Sequence, residues 1–442
     1  MSESKDCSEL RPELGVADAI LLIIGTIIGA GIFVTPGYVT QTLGDEGLVL
    51  AAWVLGGVVA LAGALSYAEL GAAWPRVGGH YVYMRLAYGL FCGFLDGWAA
   101  LLVNFPGSIA ALALAASGYL GAIVPGIDGD GYTGKLVAVA LILGLSLVNY
   151  WGVRTSARLQ NTVTLLKMSA LLALIIAGLF WTAPEATSVT KPPFKFSSTA
   201  MGGAMIAVMF TYFGWDSATY IASEVRRPSR TLPVAALLGT LAVVAIYVAI
   251  NVVFLKAVPV GSTGGAGIVA DQVARAIFGP WASKVVTAVA VVSILGGLNA
   301  MILTGPRISY AMAKDSLFFR FAGKVNTKHQ TPGPAIWLQA ALAVVLALTG
   351  TVEQLFTAAG FVITLLAGAT AVAVLVLRRS HPDVDRPYRT LGAPVTPLLF
   401  AAAAAWIGVS SVVENPVPSL AGLATIAISW PIYKLWRRTS RK

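Results

Sequence analysis

Apolar runs of about 20 residues recur along this chain, and each is long enough to cross a hydrocarbon core roughly 30 Å thick. They lie near 16–41, 47–72, 88–121, 135–151, 159–182, 200–223, 231–256, 281–312, 334–350, 353–378, 392–413 and 417–435. Twelve such spans predict an all-α polytopic membrane protein, because backbone groups in lipid must find their partners within a span. Composition agrees. Only 11% of the 442 residues are charged and 57% are hydrophobic, whereas soluble chains carry about 25% charge. The longest loops, around 257–280 and 313–333, leave no room for a soluble domain. The first of them is Gly-rich (GSTGGAG) and is expected to hold a short surface helix near Asp271–Phe278.

The net charge of +10 raises the question of nucleic acid, and the distribution of cations answers it. With the termini and even-numbered loops placed in the cytosol, 23 of the 30 lysines and arginines fall inside, six outside, and Lys167 within a span. That is the positive-inside bias, so the basicity is topogenic and no nucleic-acid partner is expected. The expected location is a cell membrane, crossed many times, with both termini cytosolic. Residues 1–13 lack the apolar core and cleavage site of a secretory signal, so the first span is expected to remain in the mature protein. Cys7 and Cys92 offer no disulfide framework, and His80, His329 and His381 fall in predicted cytosolic loops. Neither a metal site nor a cofactor is expected.

Glycine interrupts two spans more than the rest. The first reads IIGTIIGAGIF, with its break at Gly25–Phe33, and the sixth reads MFTYFGWDS, with Gly214 in mid-span. Paired breaks five spans apart point to an inverted-repeat transporter with a midplane site. Within a single domain, 1–442, repeat one covers about 14–182, repeat two about 200–378, and two extra helices about 392–435. The competing explanation is packing, since Gly25 and Gly29 also have the spacing of a close helix–helix contact. A half-helix start would present the N–H groups of Ala30, Gly31 and Ile32 to a carboxylate. Carbonyls near Ile27 and Phe210–Phe213 suit an ammonium. An α-amino acid satisfies both.

Lys167, in TVTLLKMSALLALI, is costly inside a membrane and so is a functional candidate, with snorkelling as the bland alternative. Its functional role would be a fixed cation bonded to the unwound first span, and a titrating role also stays open. Asp216 follows Gly214 and Trp215 in the sixth-span break and either meets a substrate, an amide or a proton, or caps the next half-helix. Phe210, Phe213 and Trp215 are gate candidates, although membrane aromatics usually pack. Asp96, Glu69 and Glu224 lie near cytosolic span ends, where capping or salt bridges explain them; Glu224 is close to Arg226, Arg227 and Arg230, a candidate gate network. The chain has no P-loop, no Gly-x-Ser-x-Gly elbow and no zinc spacing, so an enzyme or ATP-driven pump has no support.

These segments resemble the amino acid–polyamine–organocation superfamily, and within it the L-type amino acid transporter branch. The resemblance is carried by GTIIGAGIFVTPG at 25–37, GALSYAELGAAWPRVGGHYVYM at 63–84, VNYWGVRTSARLQ at 148–160, GWDSATYIASEVRRPSRTLPVA at 214–235, LGGLNAMILTGPRISYAMAKDSLF at 295–318 and RPYR at 386–389. It implies a LeuT-type 5+5 inverted repeat with two extra helices. It implies substrate on Ile27, Ile28, Gly29, Ala30, Gly31 and Ile32 of the first break and on Phe210, Phe213, Gly214, Trp215 and Asp216 of the sixth. Phe210 matches the aromatic gate, Lys167 the fifth-span lysine that replaces a sodium ion, Ser108 the third-span contact region, and Thr364 an approach from the tenth span. The sequence departs from the pattern in three places. The third-to-fourth loop, VPGIDGDGYTG, lacks the cysteine through which animal L-type members join a glycoprotein, so no disulfide-linked heavy chain is expected. Asp216 stands where L-type members often carry an amide. Phe213 stands where larger-pocket members tend to have glycine, which narrows the pocket. The expectation is a sodium-independent exchanger of small or medium neutral L-amino acids working by alternating access. The alternatives are proton symport, cationic amino acid or polyamine exchange, and a non-transporting sensor.

Overall fold

A computed structural model describes residues 10–29, 31–128, 131–181, 197–258, 260, 269–414 and 416–439. The first predicted span is two helices, α1 (Val16–Ile27) and α2 (Gly31–Leu43), followed by α3 (Glu46–Ala73) and a short α4 (His80–Tyr88). The third span is α5 (Leu90–Ala99), a π-helical turn at Ala100–Asn104, and α6 (Phe105–Gly121). Then come α7 (Tyr132–Tyr150) and α8 (Val153–Phe180). The sixth span is again divided, into α9 (Ser198–Tyr212) and α10 (Ser217–Tyr220). α11 (Pro228–Ala257) and the short α12 (Val269–Phe278) precede α13 (Ala282–Thr304), which turns at Gly305 into α14 (Pro306–Lys314). α15 (Gly333–Thr349), α16 (Val352–Ser380), α17 (Val395–Glu414) and α18 (Pro416–Thr439) complete the chain.

Among the described residues, eight helical stretches are long and apolar enough to cross a membrane whole, two of them made of joined elements, Leu90–Gly121 and Ala282–Lys314. α1 and α9 fall short because each is only half of a span. α15 has 17 residues and is slightly short for a full crossing. α18 is diluted by Pro416, Pro418 and Pro431 and by Ser419, Thr425 and Ser429. The Gly-rich stretch 261–268 and Cys7 lie outside the described residues. The surface helix expected beside that stretch is α12, whose Arg275 and Asp271 pair one turn apart at 2.9 Å.

Helix starts follow local chemistry. The Asp45 side chain accepts the Leu48 N–H at 3.0 Å to open α3, and Thr351 accepts the Gln354 N–H at 3.4 Å to open α16. α8 begins six residues before its predicted start, so Lys167 sits midway along it rather than near one end. The sequence reading missed α4. Gly78 and Gly79 take positive φ values of 118° and 53°, and a Cβ on Gly79 would come within 2.5 Å of the Tyr220 ring. Glycine there lets the chain pass beneath α10 and deliver His80 to its underside. The N-terminal approach is tied to the same region, since the Glu13 and Leu14 N–H groups donate to the Glu224 carbonyl at 2.8 and 2.9 Å.

Candidate functional site

The two broken spans touch at their breaks. Gly214 has φ 126°, and a Cβ there would come within 2.8 Å of Thr26 Cγ2 and 3.2 Å of the Ile27 backbone nitrogen. Glycine is required on both counts, because no other residue permits that φ and that approach together. α9 therefore ends against the end of α1.

α1 ends because its last carbonyls are taken from outside the helix. In a continuous helix the Gly25 carbonyl would accept from Gly29, but here the Gly29 N–H donates to Ile27 at 2.9 Å. The Gly25 carbonyl instead accepts from the Lys167 ammonium of α8 at 2.7 Å, and that ammonium also donates to Ile28. Ser293 of α13 donates to the Ile28 carbonyl at 3.2 Å. Tyr247 of α11 lies 2.9 Å from the Ile27 carbonyl and 3.3 Å from that of Thr211, joining the two breaks. Each unsatisfied carbonyl in hydrocarbon would cost several kcal/mol, so these donors make the unwound turn affordable. Lys167 is 0% exposed, which removes the snorkelling alternative.

A cavity, partly open to solvent, lies between the breaks. Of the predicted residues, it brings together Ile27, Gly29, Gly31, Ser108, Phe210, Phe213 and Thr364. Gly25 and Gly29 divide the two explanations of their spacing. A Cβ on Gly25 would meet Thr164 Oγ1 and Gln160 Nε2 of α8 at 2.2 and 2.3 Å, so Gly25 is a packing residue. A Cβ on Gly29 would have no described atom within 4 Å beyond its chain neighbours, so Gly29 faces free space. α2 starts at Gly31, and its first-turn N–H groups have no carbonyl one turn earlier in the helix. Phe210 packs edge-on against Phe356 of α16 with centroids 5.1 Å apart.

Ala30 lies outside the described residues. Ile28 and Ile32 are buried in the hydrophobic core. The Ile27 carbonyl, a candidate for the ammonium, already accepts from Gly29 and Tyr247. Trp215 does not line the cavity. Its ring packs on Phe213 at 4.7 Å and on Phe400 of α17 at 5.4 Å.

Asp216 turns away from the cavity. Its Oδ2 lies 2.8 Å from His80 Nε2 and accepts from the Tyr220 hydroxyl at 3.0 Å, and its side chain makes no capping bond to α10. His80, expected in a loop, is 3% exposed, with Asp96 3.8 Å from its other ring nitrogen. Glu224 pairs with Arg307 of α14 at 2.8 and 3.0 Å, not with the arginines beside it in sequence, and both side chains are buried. Glu69 binds Arg378 at 2.8 and 2.6 Å and the Thr390 N–H at 2.7 Å, tying α3 to α16 and the loop beyond it.

The sequence reading missed Tyr247, Ser293, Thr26, Thr211 and Asn104. Tyr247 and Ser293 act through backbone carbonyls on another span, and neither carries a local signal. Thr26 and Thr211 adjoin the two glycine-rich breaks, which is a signal that adjacency alone would have supplied.

Comparison with known proteins finds similarity along most of the chain. A family model described as amino acid permease matches residues 14–430. The chain is 32% identical over 435 residues to the serine/threonine exchanger SteT of Bacillus subtilis (strain 168), covering 96% of this chain and 98% of that protein. It is 32% identical to the large neutral amino acids transporter small subunit 2 of Homo sapiens, over 96% of this chain and 80% of that one. It is 30% identical to the Asc-type amino acid transporter 1 of Mus musculus, over 97% of this chain and 82% of that one.

Proposed function

The chain belongs to the amino acid permease family, and from that premise we propose that it exchanges small or medium neutral L-amino acids across a cell membrane by alternating access, without sodium. The observation that carries the proposal is the free space at Gly29, bounded by the start of α2 and the ends of α1 and α9. A substrate carboxylate there is stabilised by the first-turn N–H groups of α2, where the helix dipole is positive. Its ammonium is stabilised by carbonyl lone pairs at the end of α9.

Lys167 supports sodium independence, because its side-chain nitrogen already donates to the Gly25 and Ile28 carbonyls. Asp216 supports neutral selectivity, because its carboxylate is engaged by His80 and Tyr220 and is not offered to a cationic side chain. Phe213 narrows the cavity in the same direction. The cation distribution supports cytosolic termini, and in that orientation the buried Glu224–Arg307 pair closes the cytosolic side. Phe210, 42% exposed, then stands at an outward mouth. The two breaks would be corresponding positions of a five-plus-five repeat. The loop 122–131 has no cysteine, so the protein works without a disulfide-linked heavy chain.

Flux in liposomes tests the proposal. Labelled alanine, serine or leucine should enter only liposomes preloaded with an amino acid, equally well in sodium and choline buffers. Uptake into empty liposomes driven by a pH gradient would replace exchange with proton symport. An absolute sodium requirement would overturn the role given to Lys167. Binding without flux would make the protein a sensor.

A further inference from the structure

The cavity wall carries a polar group that none of the interactions above employs. Asn104, in the π-helical turn between α5 and α6, lines the cavity and is 4% exposed, and its Oδ1 has no hydrogen-bond partner. A buried polar atom without a partner is uncommon and calls for a reason. The threonine hydroxyls lining the same cavity are held by carbonyls of their own helices. Thr26 reaches Leu22 at 2.7 Å, Thr211 reaches Ala207 at 2.9 Å, and Thr364 reaches Gly360 at 2.7 Å. Asn104 differs from them in having a buried polar atom, its Oδ1, that makes no hydrogen bond at all.

The placement of Asn104 comes from the backbone. Pro106 has no N–H to give to the preceding turn, and the Phe105 N–H reaches back to the Ala100 carbonyl. The result is a single π turn, which adds one residue to the helical circuit and is a device often found at functional sites. Leu112, Gly297, Met301 and Ile363 give apolar surface to the same cavity.

We propose that Asn104 reads the substrate side chain, its carboxamide hydrogen-bonding a hydroxyl, so that the cavity prefers serine and threonine to apolar amino acids of the same size. This inference rests on the reading of the cavity as an amino acid site. A carboxamide offers an acceptor and a donor pair that exchange places on rotation, and a hydroxyl both donates and accepts, so the two match in either orientation. Valine, which has the shape of threonine, leaves the Asn104 oxygen unpaired, and sites of this kind discriminate by that penalty. A charged side chain would enter a buried neutral wall without a counter-charge.

The test is uptake of labelled threonine and labelled valine, in parallel, by the purified protein in preloaded liposomes. The expected kcat/KM for threonine exceeds that for valine by roughly three- to tenfold, the worth of one neutral hydrogen bond. Asn104→Leu keeps the shape of the side chain and should bring the ratio to about one. A ratio of about one in the unaltered protein would overturn the inference. So would an Asn104→Leu protein in which both rates fall and the ratio persists, since that is the behaviour of a structural residue. If the variant does not insert, thermal protection of the unaltered protein decides, and equal protection by threonine and valine overturns the inference. Absence of flux and of binding for every amino acid would instead overturn the parent reading, a result separate from loss of the ratio.

Discussion

The Lys167 ammonium donates to the Gly25 carbonyl at 2.7 Å, across the boundary between the fifth span and the broken first one. On the proposed reading, the lysine takes the place of a bound cation at an unwound helix end. Removing it leaves the Gly25 carbonyl without a donor in a buried site, at a cost of about 1–3 kcal/mol for each such group. Lys167→Ala should therefore insert and purify with lowered thermal stability, and its uptake should fall to below about a tenth of the parent level, since a loss of 1.4 kcal/mol is already tenfold. Near-normal uptake at matched protein levels would show that the lysine only fills space.

The glycines of the first break respond differently to a methyl group. At Gly29 a Cβ meets no described atom beyond its neighbours, whereas at Gly31 it would lie 2.8 Å from Thr211 Oγ1. Gly29→Ala should keep its melting temperature and lose substrate affinity, because the methyl occupies space proposed for the ligand. Gly31→Val should lose both, with an overpacking cost of about 1–3 kcal/mol against α9. Calorimetric titration and thermal unfolding separate the effects. Equal affinity losses with equal stability losses would refute the distinction.

The spans were legible in the sequence because hydropathy is a local property. The breaks were legible because glycine weakens a helix wherever it stands. What closes the breaks was not legible. Tyr247 acts on Ile27 from 220 residues away, and Ser293 acts on Ile28 from 265. Each is a hydroxyl in an apolar run until the fold supplies its partner. Asp216 shows the same limit. Its neighbours in sequence allowed a substrate contact or a helix cap, and the deciding residue is His80, 136 positions earlier and itself expected in a loop.

The His80–Asp216 pair should therefore behave as a buried couple. His80→Leu leaves the Asp216 carboxylate with Tyr220 alone, and losing a hydrogen bond to a buried charged group costs about 1.5–3 kcal/mol. Asp216→Leu should also destabilise, while the double replacement should cost clearly less than the sum of the two. Denaturant unfolding of the four proteins measures the coupling. Strict additivity would mean that the two side chains do not act together. His80→Leu should not raise arginine uptake if Asp216 serves only this pair.

The Glu224–Arg307 pair should latch α14 to the end of the sixth span. Arg307 gives two donors to Glu224 at 2.8 and 3.0 Å and a third to the Leu303 carbonyl at 2.5 Å, so one guanidinium fixes the end of the sixth span and the turn from α13 into α14. Both side chains are at most 1% exposed, so no water screens the pair, and the opening required for alternating access must separate or carry it. Glu224→Gln preserves shape and removes the charge. The bidentate pairing is lost, and the closed arrangement is weakened relative to the open one. Hydrogen exchange at Pro306–Lys314 should then accelerate by about tenfold or more, as local opening becomes easier, while α7 exchanges at its former rate. Unchanged exchange in α14 would show that its attachment rests on apolar packing rather than on this ion pair.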